Sequence, residues 1–141
     1  MSDQLWTTDT AGGFAAKLGI EILEATPDGV VATMPVGGNE QPDGILHGGA
    51  TMSLIETVAS VAAAVRAGWP ENLVVGQSQI CNYVRPATSG SVKAVASVVH
   101  VGRTTHVWDV DVTSVETGKR IAVGRVTMAV RPRPEAQPKS G

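Results

Sequence analysis

Glu56 is the only ionisable residue between Ala50 and Val65, in a run of otherwise apolar or small side chains. A buried, unpaired carboxylate costs several kcal/mol even after relaxation, so a chain that keeps one has a use for it. Just upstream, Gly44-Ile45-Leu46-His47-Gly48-Gly49 makes a glycine-rich lead into the same run. The free N–H groups at such a helix start can hold a developing negative charge. A carboxylate to attack or to activate water, together with an amide-lined oxyanion site, is equipment for acyl transfer.

The spacing constrains how the two groups cooperate. Gly48 and Glu56 are eight residues apart, roughly 12 Å along a helix rising about 1.5 Å per residue. A nucleophile must come within about 3–3.5 Å of the carbonyl carbon that the oxyanion donor polarises. One chain therefore cannot bring both groups to one acyl carbonyl, and the arithmetic calls for a site shared between two subunits with antiparallel central helices. Burial should raise the pKa of Glu56, and Gly48→Ala should test how closely an acyl group approaches. Plainer readings exist for each residue. Ser53, Ser60 or a partner arginine could satisfy Glu56, Gly48-Gly49 could be a simple entry loop, and His47 could cap the helix.

These groups need elements to carry them. A helix is expected over residues 48–67, stopped by Gly68 with Pro70 beyond, and its nearly all-apolar surface predicts burial all round. Residues 18–25 and 30–36 read as strands joined by the turn Thr26-Pro27-Asp28-Gly29, and residues 37–46 as a loop. Four β-branched runs follow over 73–84, 91–101, 105–115 and 119–130, separated by glycine- and proline-bearing turns. Asp109 and Asp111 alternate with Trp108, Val110 and Val112, the pattern of a half-exposed strand. Residues 1–13 read as a loose arm with Trp6 available to dock, and 132–141 as a polar tail. The order predicts an α+β domain in which a curved antiparallel sheet of five to six strands wraps one long helix. Its open edges invite pairing with a second copy.

Bulk properties narrow the class. At 141 residues the chain suits one domain with one core. A net charge of −2 leaves no footprint for nucleic acid or an anionic membrane. One cysteine permits no intrachain disulfide and suits a reducing compartment. No secretory signal opens the chain, and the apolar run around Glu56 reads as too short and alanine-rich for a membrane span, which together predict a cytoplasmic protein. Three scattered histidines and Cys81 lack metal-ligand spacing, and Cys81 reads as a small sheet residue.

Gln41-Pro42-Asp43-Gly44-Ile45-Leu46-His47-Gly48-Gly49-Ala50, followed by Glu56 and Ser60, resembles the signature of the hot-dog-fold acyl-CoA thioesterases. The blocks Val75-Gly76-Gln77-Ser78, Val84-Arg85-Pro86, Thr104-Thr105-His106-Val107-Trp108-Asp109-Val110 and Ala129-Val130-Arg131-Pro132-Arg133 are similar to the Arthrobacter-type 4-hydroxybenzoyl-CoA thioesterases. That wider group includes the phenylacetate- and menaquinone-pathway enzymes. The resemblance spans residues 19–133. It implies that Glu56 is nucleophile or general base, that the Gly48 N–H polarises the thioester carbonyl, and that Gln41 and His47 shape the same region. It implies that Ser60 orients water or the carboxylate, and that Arg85, Arg103, Thr104, Arg131 and Arg133 meet the coenzyme A phosphates. Asn82 is expected near the acyl pocket. No cofactor is implied, because coenzyme A belongs to substrate and product. The partner is an acyl-CoA, and the protein is expected to act as a homodimer or homotetramer with shared sites.

Two positions depart from the pattern. Arg103 stands where the Arthrobacter-type relative has a small hydroxyl residue, and Pro134 where another arginine is expected. The expected reaction is hydrolysis of an aryl- or arylacyl-CoA such as 4-hydroxybenzoyl-CoA. The alternatives are a broad-specificity or aliphatic acyl-CoA hydrolase, and a non-catalytic acyl-CoA sensor that would need Arg85 but not Glu56. A dehydratase on this fold fits less well, since Glu56 stands alone on the central helix.

Overall fold

Gly68, in the left-handed conformation with φ 79°, ends the long helix where the sequence places its stop, and the N–H of Gly68 closes on the Ala64 carbonyl. In the computed structural model, which describes residues 6–7 and 9–136, the elements run α1 (Gly13–Leu18), β1 (Glu21–Thr26), β2 (Gly29–Pro35), α2 (Gly48–Ala67), β3 (Asn72–Tyr83), β4 (Ser91–Val101), β5 (Thr105–Ser114) and β6 (Arg120–Pro132). All six strands join one antiparallel sheet in the order β1-β2-β4-β5-β6-β3. The four strands of the second half lie within two residues of their expected limits, because β-branched runs broken by turn residues mark strands sharply. The chain leaves α2 to form β3 at the far side of the sheet, so β3 pairs only with β6 and its other edge is open.

The core lies between the concave sheet face and α2. Trp108, Val110 and Val112 of β5, Val92 and Ala94 of β4, and Val30, Ala32 and Met34 of β2 face Leu54, Ile55, Val58 and Ala62. Alanines at 59, 62 and 63 let the sheet curve closely onto the helix. On the outer face, Asp109 and Asp111 are half-exposed and paired with Arg125 at 2.7 Å and Arg120 at 2.9 Å. The Arg125 hydrogen bond holds the Asp109 carboxyl below the usual carboxylate range.

Three expectations are corrected here. Residues 13–18 form α1 rather than part of the arm and the first strand, which begins only at Glu21. One and a half turns with no side-chain cap are too short to write a periodicity. Second, α2 is not buried all round. The sheet covers one side, while Glu56 is exposed and Ser53, Thr57 and Ser60 are only part-buried. Alanine-rich composition hides this stripe, because its polar members are small. Third, the length argument against a membrane span fails. At 20 residues and mean hydropathy 1.4, α2 matches a span by composition, and it is the burial of 56% of that stretch within this chain that makes it a core helix.

Trp6 docks, with its ring centroid 5.0 Å from that of Trp69 at a tilt of 58°. Residues 137–141 of the expected tail lie outside the described residues.

Candidate active site

Glu56 projects from the middle of α2 onto the start of β3. A Cβ built on Gly76 would fall 2.5 Å from the Glu56 Oε1 atom, so the absence of a side chain at 76 makes the space the carboxylate occupies. The strand is irregular just there. Gly76 pairs with Met128 and Ser78 with Thr127, leaving Gln77 as an extra residue in a bulge. Such bulges re-aim side chains beside active sites. Glu56, Gly76, Gln77, Ser78 and Gln79 line a 200 Å³ cavity, in which the Gln79 Oε1 is buried without a hydrogen-bond partner. Neither Glu56 nor Ser60 has an ion pair or side-chain hydrogen bond among the described residues. The burial expected for Glu56 is thus not supplied by its own chain.

The other half of the chemistry sits at the N-terminus of α2. His47 is the N-cap, and its Nδ1 accepts the Gly49 N–H at 2.8 Å. That bond puts the imidazole proton of the neutral ring on Nε2, leaving a donor facing outward. The plainer reading of His47 as a cap is therefore what the geometry shows. Gln41 Oε1 accepts the Asp43 N–H at 2.8 Å, which frees the Gln41 side-chain NH₂ to donate elsewhere. Gln41, Gly48, Tyr83 and Arg85 line one 460 Å³ cavity. The Gly48 N–H belongs to the first turn, where helix amides have no intrahelical partner. The cavity thus offers two N–H donors within one concavity, the arrangement that stabilises an oxyanion.

Gly48 is needed for a different reason from the one its sequence suggests. A Cβ there would meet the Tyr83 ring at 3.0 Å, so within the chain the glycine makes room for Tyr83. The Tyr83 hydroxyl donates to the Gly48 carbonyl at 2.9 Å and ties the edge strand to the helix start. Tyr83→Phe should lower stability by about 1 kcal/mol, measured as a shift in denaturant midpoint at unchanged slope. Beneath this pair, burial pushes the Cys81 thiol up, so it stays protonated and unreactive at neutral pH.

The remaining expected residues divide between the two ends of α2. Arg85 lies by Gly48, its guanidinium donating to the Arg120 carbonyl at 3.0 Å. Arg103, Thr104 and Arg131 share a 710 Å³ cavity with Arg66, Asn72 and His106 at the opposite end, about 27 Å away along the helix. His106 is 2% exposed with its Nδ1 unpartnered, and burial and the Arg66 charge push its pKa down. Arg133 donates to the Pro70 carbonyl at 2.6 Å. Asn82 does not join Glu56 or Gly48 in this chain. Beyond the bulge Ile80 and Asn82 point away from α2, into a groove with Asp109, Asp111, Arg120 and Arg125 on the outer sheet face. Among the described residues no three His, Cys, Asp or Glu side chains converge as a metal site.

Within one chain, Gly48 with Gln41 and Glu56 with Ser60 line separate cavities. Sequence reading names Gly76 only within a family-like block, with no role, and does not mark Tyr83. The signals were present, as a glycine inside a strand and a lone tyrosine seven residues after it, but neither says what it faces.

The described geometry has close counterparts. The thioesterase superfamily matches residues 43–121. The fold superposes on a thioesterase of Haemophilus influenzae with TM-score 0.85 and 34% identity, covering 94% of this chain and 92% of that one. It superposes on a glutamine-to-alanine mutant of a Pseudomonas aeruginosa thioesterase with TM-score 0.83 and 35% identity, covering 89% and 91%. A 1,4-dihydroxy-2-naphthoyl-CoA hydrolase of Listeria monocytogenes is 34% identical over 120 residues, 84% of this chain and 96% of that protein. With the family signature, a long helix against an open six-stranded sheet and these relatives in agreement, the chain belongs to the thioesterase superfamily, of hot-dog fold, and is a thioester hydrolase.

Proposed function

We propose that the chain hydrolyses an aryl- or arylacyl-CoA to the free acid and coenzyme A, in a site assembled from two protomers. The observation that carries this is the separation on α2. Gly48 opens α2, with Gln41 and His47 just before it, and Glu56 lies about 12 Å further along the helix with Ser60 one turn beyond, too far for both groups to serve one carbonyl. Two antiparallel copies of α2 bring one protomer's Glu56 to the other's Gly48. The open edge of β3, with Val75, Ile80 and Tyr83 exposed, supplies the pairing surface. A second pairing through another face would give a homotetramer.

In this reading the Gly48 N–H and the Gln41 amide hold the thioester oxygen as charge develops on it. Glu56 takes a proton from a water held by Ser60 as that water adds to the carbonyl carbon; alternatively Glu56 adds directly, giving an anhydride that water then opens. Collapse of the tetrahedral oxyanion expels coenzyme A as the thiolate. Arg85 at one end and Arg103, Thr104 and Arg131 at the other are the candidates for its phosphates, with Arg133 beside them. An aromatic acyl group is supported by the similarity to the naphthoyl-CoA hydrolase.

Mixing tests the shared site. Gln41→Ala should cost about 10²–10³ in rate, as loss of an oxyanion donor does. Glu56→Ala should also be nearly inactive. Combined one to one after subunit exchange, half the dimers carry both variants and each holds one wild-type site, so about a quarter of wild-type thiol release should return. No recovery, with heterodimers demonstrated, would place both groups in one chain's site.

A further inference from the structure

Three of the chain's five aromatic side chains gather around one cavity, and that cavity holds Glu56. The chain has three Trp, one Tyr and one Phe in 141 residues. Trp108 is core, and Tyr83 covers Gly48. The other three, Trp6, Phe14 and Trp69, line a 310 Å³ cavity over the uncovered stripe of α2, together with Glu56 and Ser60. They come from the N-terminal arm, from α1 and from the link between α2 and β3, so chance proximity in sequence does not explain the grouping.

The cavity's polarity is one-sided. The Ser53 hydroxyl donates to the Gly49 carbonyl and the Thr57 hydroxyl to the Ser53 carbonyl, both at 2.7 Å, so neither offers its proton to a ligand. The carboxylate of Glu56 and the hydroxyl of Ser60 remain. A ligand that suits such walls is an apolar body with one reactive polar end. Phe14 is 64% exposed on α1, so most of its surface is free to meet a ligand. The Trp6–Trp69 pair is tilted by 58°, presenting ring edges and faces together. Flat aromatic groups gain offset and edge-to-face contacts on such surfaces beyond the area they bury, whereas a flexible chain loses rotamer freedom there.

We infer that this cavity is the acyl subsite, that it takes a flat aromatic acyl group, and that Phe14 and the Trp6–Trp69 pair are its specificity-determining walls. The inference rests on the thioesterase mechanism above, and adds that the acyl group is gripped by the same protomer that supplies Glu56. With the ring among the aromatic side chains, the carbonyl carbon falls at the Glu56 edge of the cavity.

The test compares benzoyl-CoA with hexanoyl-CoA by thiol release from the full chain. The wild type should favour benzoyl-CoA. Phe14→Ala should lower kcat/KM for benzoyl-CoA about tenfold and that for hexanoyl-CoA less than about threefold, with Phe14→Tyr restoring the preference. Phe14→Leu, which keeps the bulk and removes the ring, carries the same comparison should the alanine variant fold poorly. In the Glu56→Gln background, benzoyl-CoA should change tryptophan fluorescence, and adding Phe14→Ala should weaken that titration by a similar factor. An unchanged benzoyl-to-hexanoyl ratio in the Phe14 variants, with both substrates still hydrolysed, overturns the subsite and leaves the hydrolase standing. No thiol release by the wild type from any acyl-CoA overturns both.

Discussion

Glu56→Ala should reduce thiol release from the best acyl-CoA by about 10³ or more while leaving acyl-CoA binding within severalfold. General acid–base catalysis alone is worth roughly 10²–10⁴. Stability should barely change. In its own chain Glu56 is exposed and makes no ion pair or side-chain hydrogen bond among the described residues, so truncating it removes no buried contact and should stay within about 0.5 kcal/mol. That combination separates three accounts of the residue. A structural carboxylate predicts a lowered melting temperature with activity retained in the surviving fold. A sensor predicts normal binding and no wild-type turnover to lose. A catalytic carboxylate predicts a stable protein that binds and does not turn over. Glu56→Gln gives the same result with the shape preserved, and a Gln variant at wild-type rate sinks the assignment.

How legible this was varies with the physics of each feature. The limits of α2 were readable because a glycine lead and a glycine stop are local chemistry, complete in a few residues. The strands of the second half were readable for the same reason, since turn residues bracket β-branched runs. The proposal of a site shared by two protomers rests on the spacing of Gly48 and Glu56, which the sequence alone gives because helix rise is fixed by backbone geometry. Exposure is not local. Whether Glu56 is buried depends on how far the sheet wraps, and composition alone made α2 look enclosed. Nor is face. Asn82 sits among site-like residues in sequence, yet the strand's alternation beyond the Gln77 bulge sends it to the outer surface. The aromatic cluster was the least legible, since Trp6 and Trp69 are 63 positions apart and α1 is too short to announce itself.

Gly76 offers the sharpest separation of activity from stability. An alanine Cβ at 76 would lie 2.5 Å from Glu56 Oε1 and 3.4 Å from its Cδ, so the carboxylate must retreat by roughly 1 Å to reach ordinary contact. Displacement of a reacting group by that distance can cost about 10² in rate. The group that yields is the tip of an exposed side chain, and the backbone at 76 carries no positive φ, so nothing in the fold resists the substitution. Glycine in a strand interior is itself costly, by roughly 0.5–1 kcal/mol against alanine in the unfolded chain's freedom. Gly76→Ala should therefore unfold at the same or a slightly higher temperature while kcat falls about a hundredfold and KM moves little. The double variant with Glu56→Ala decides the cause. If Gly76 acts only by placing the carboxylate, its substitution costs nothing further once the carboxylate is gone, a complete failure of additivity. A Gly76→Ala protein that turns over at the wild-type rate would show that Glu56 works from a position other than the one it holds here, and an additional loss in the double variant would show that β3 touches the substrate itself.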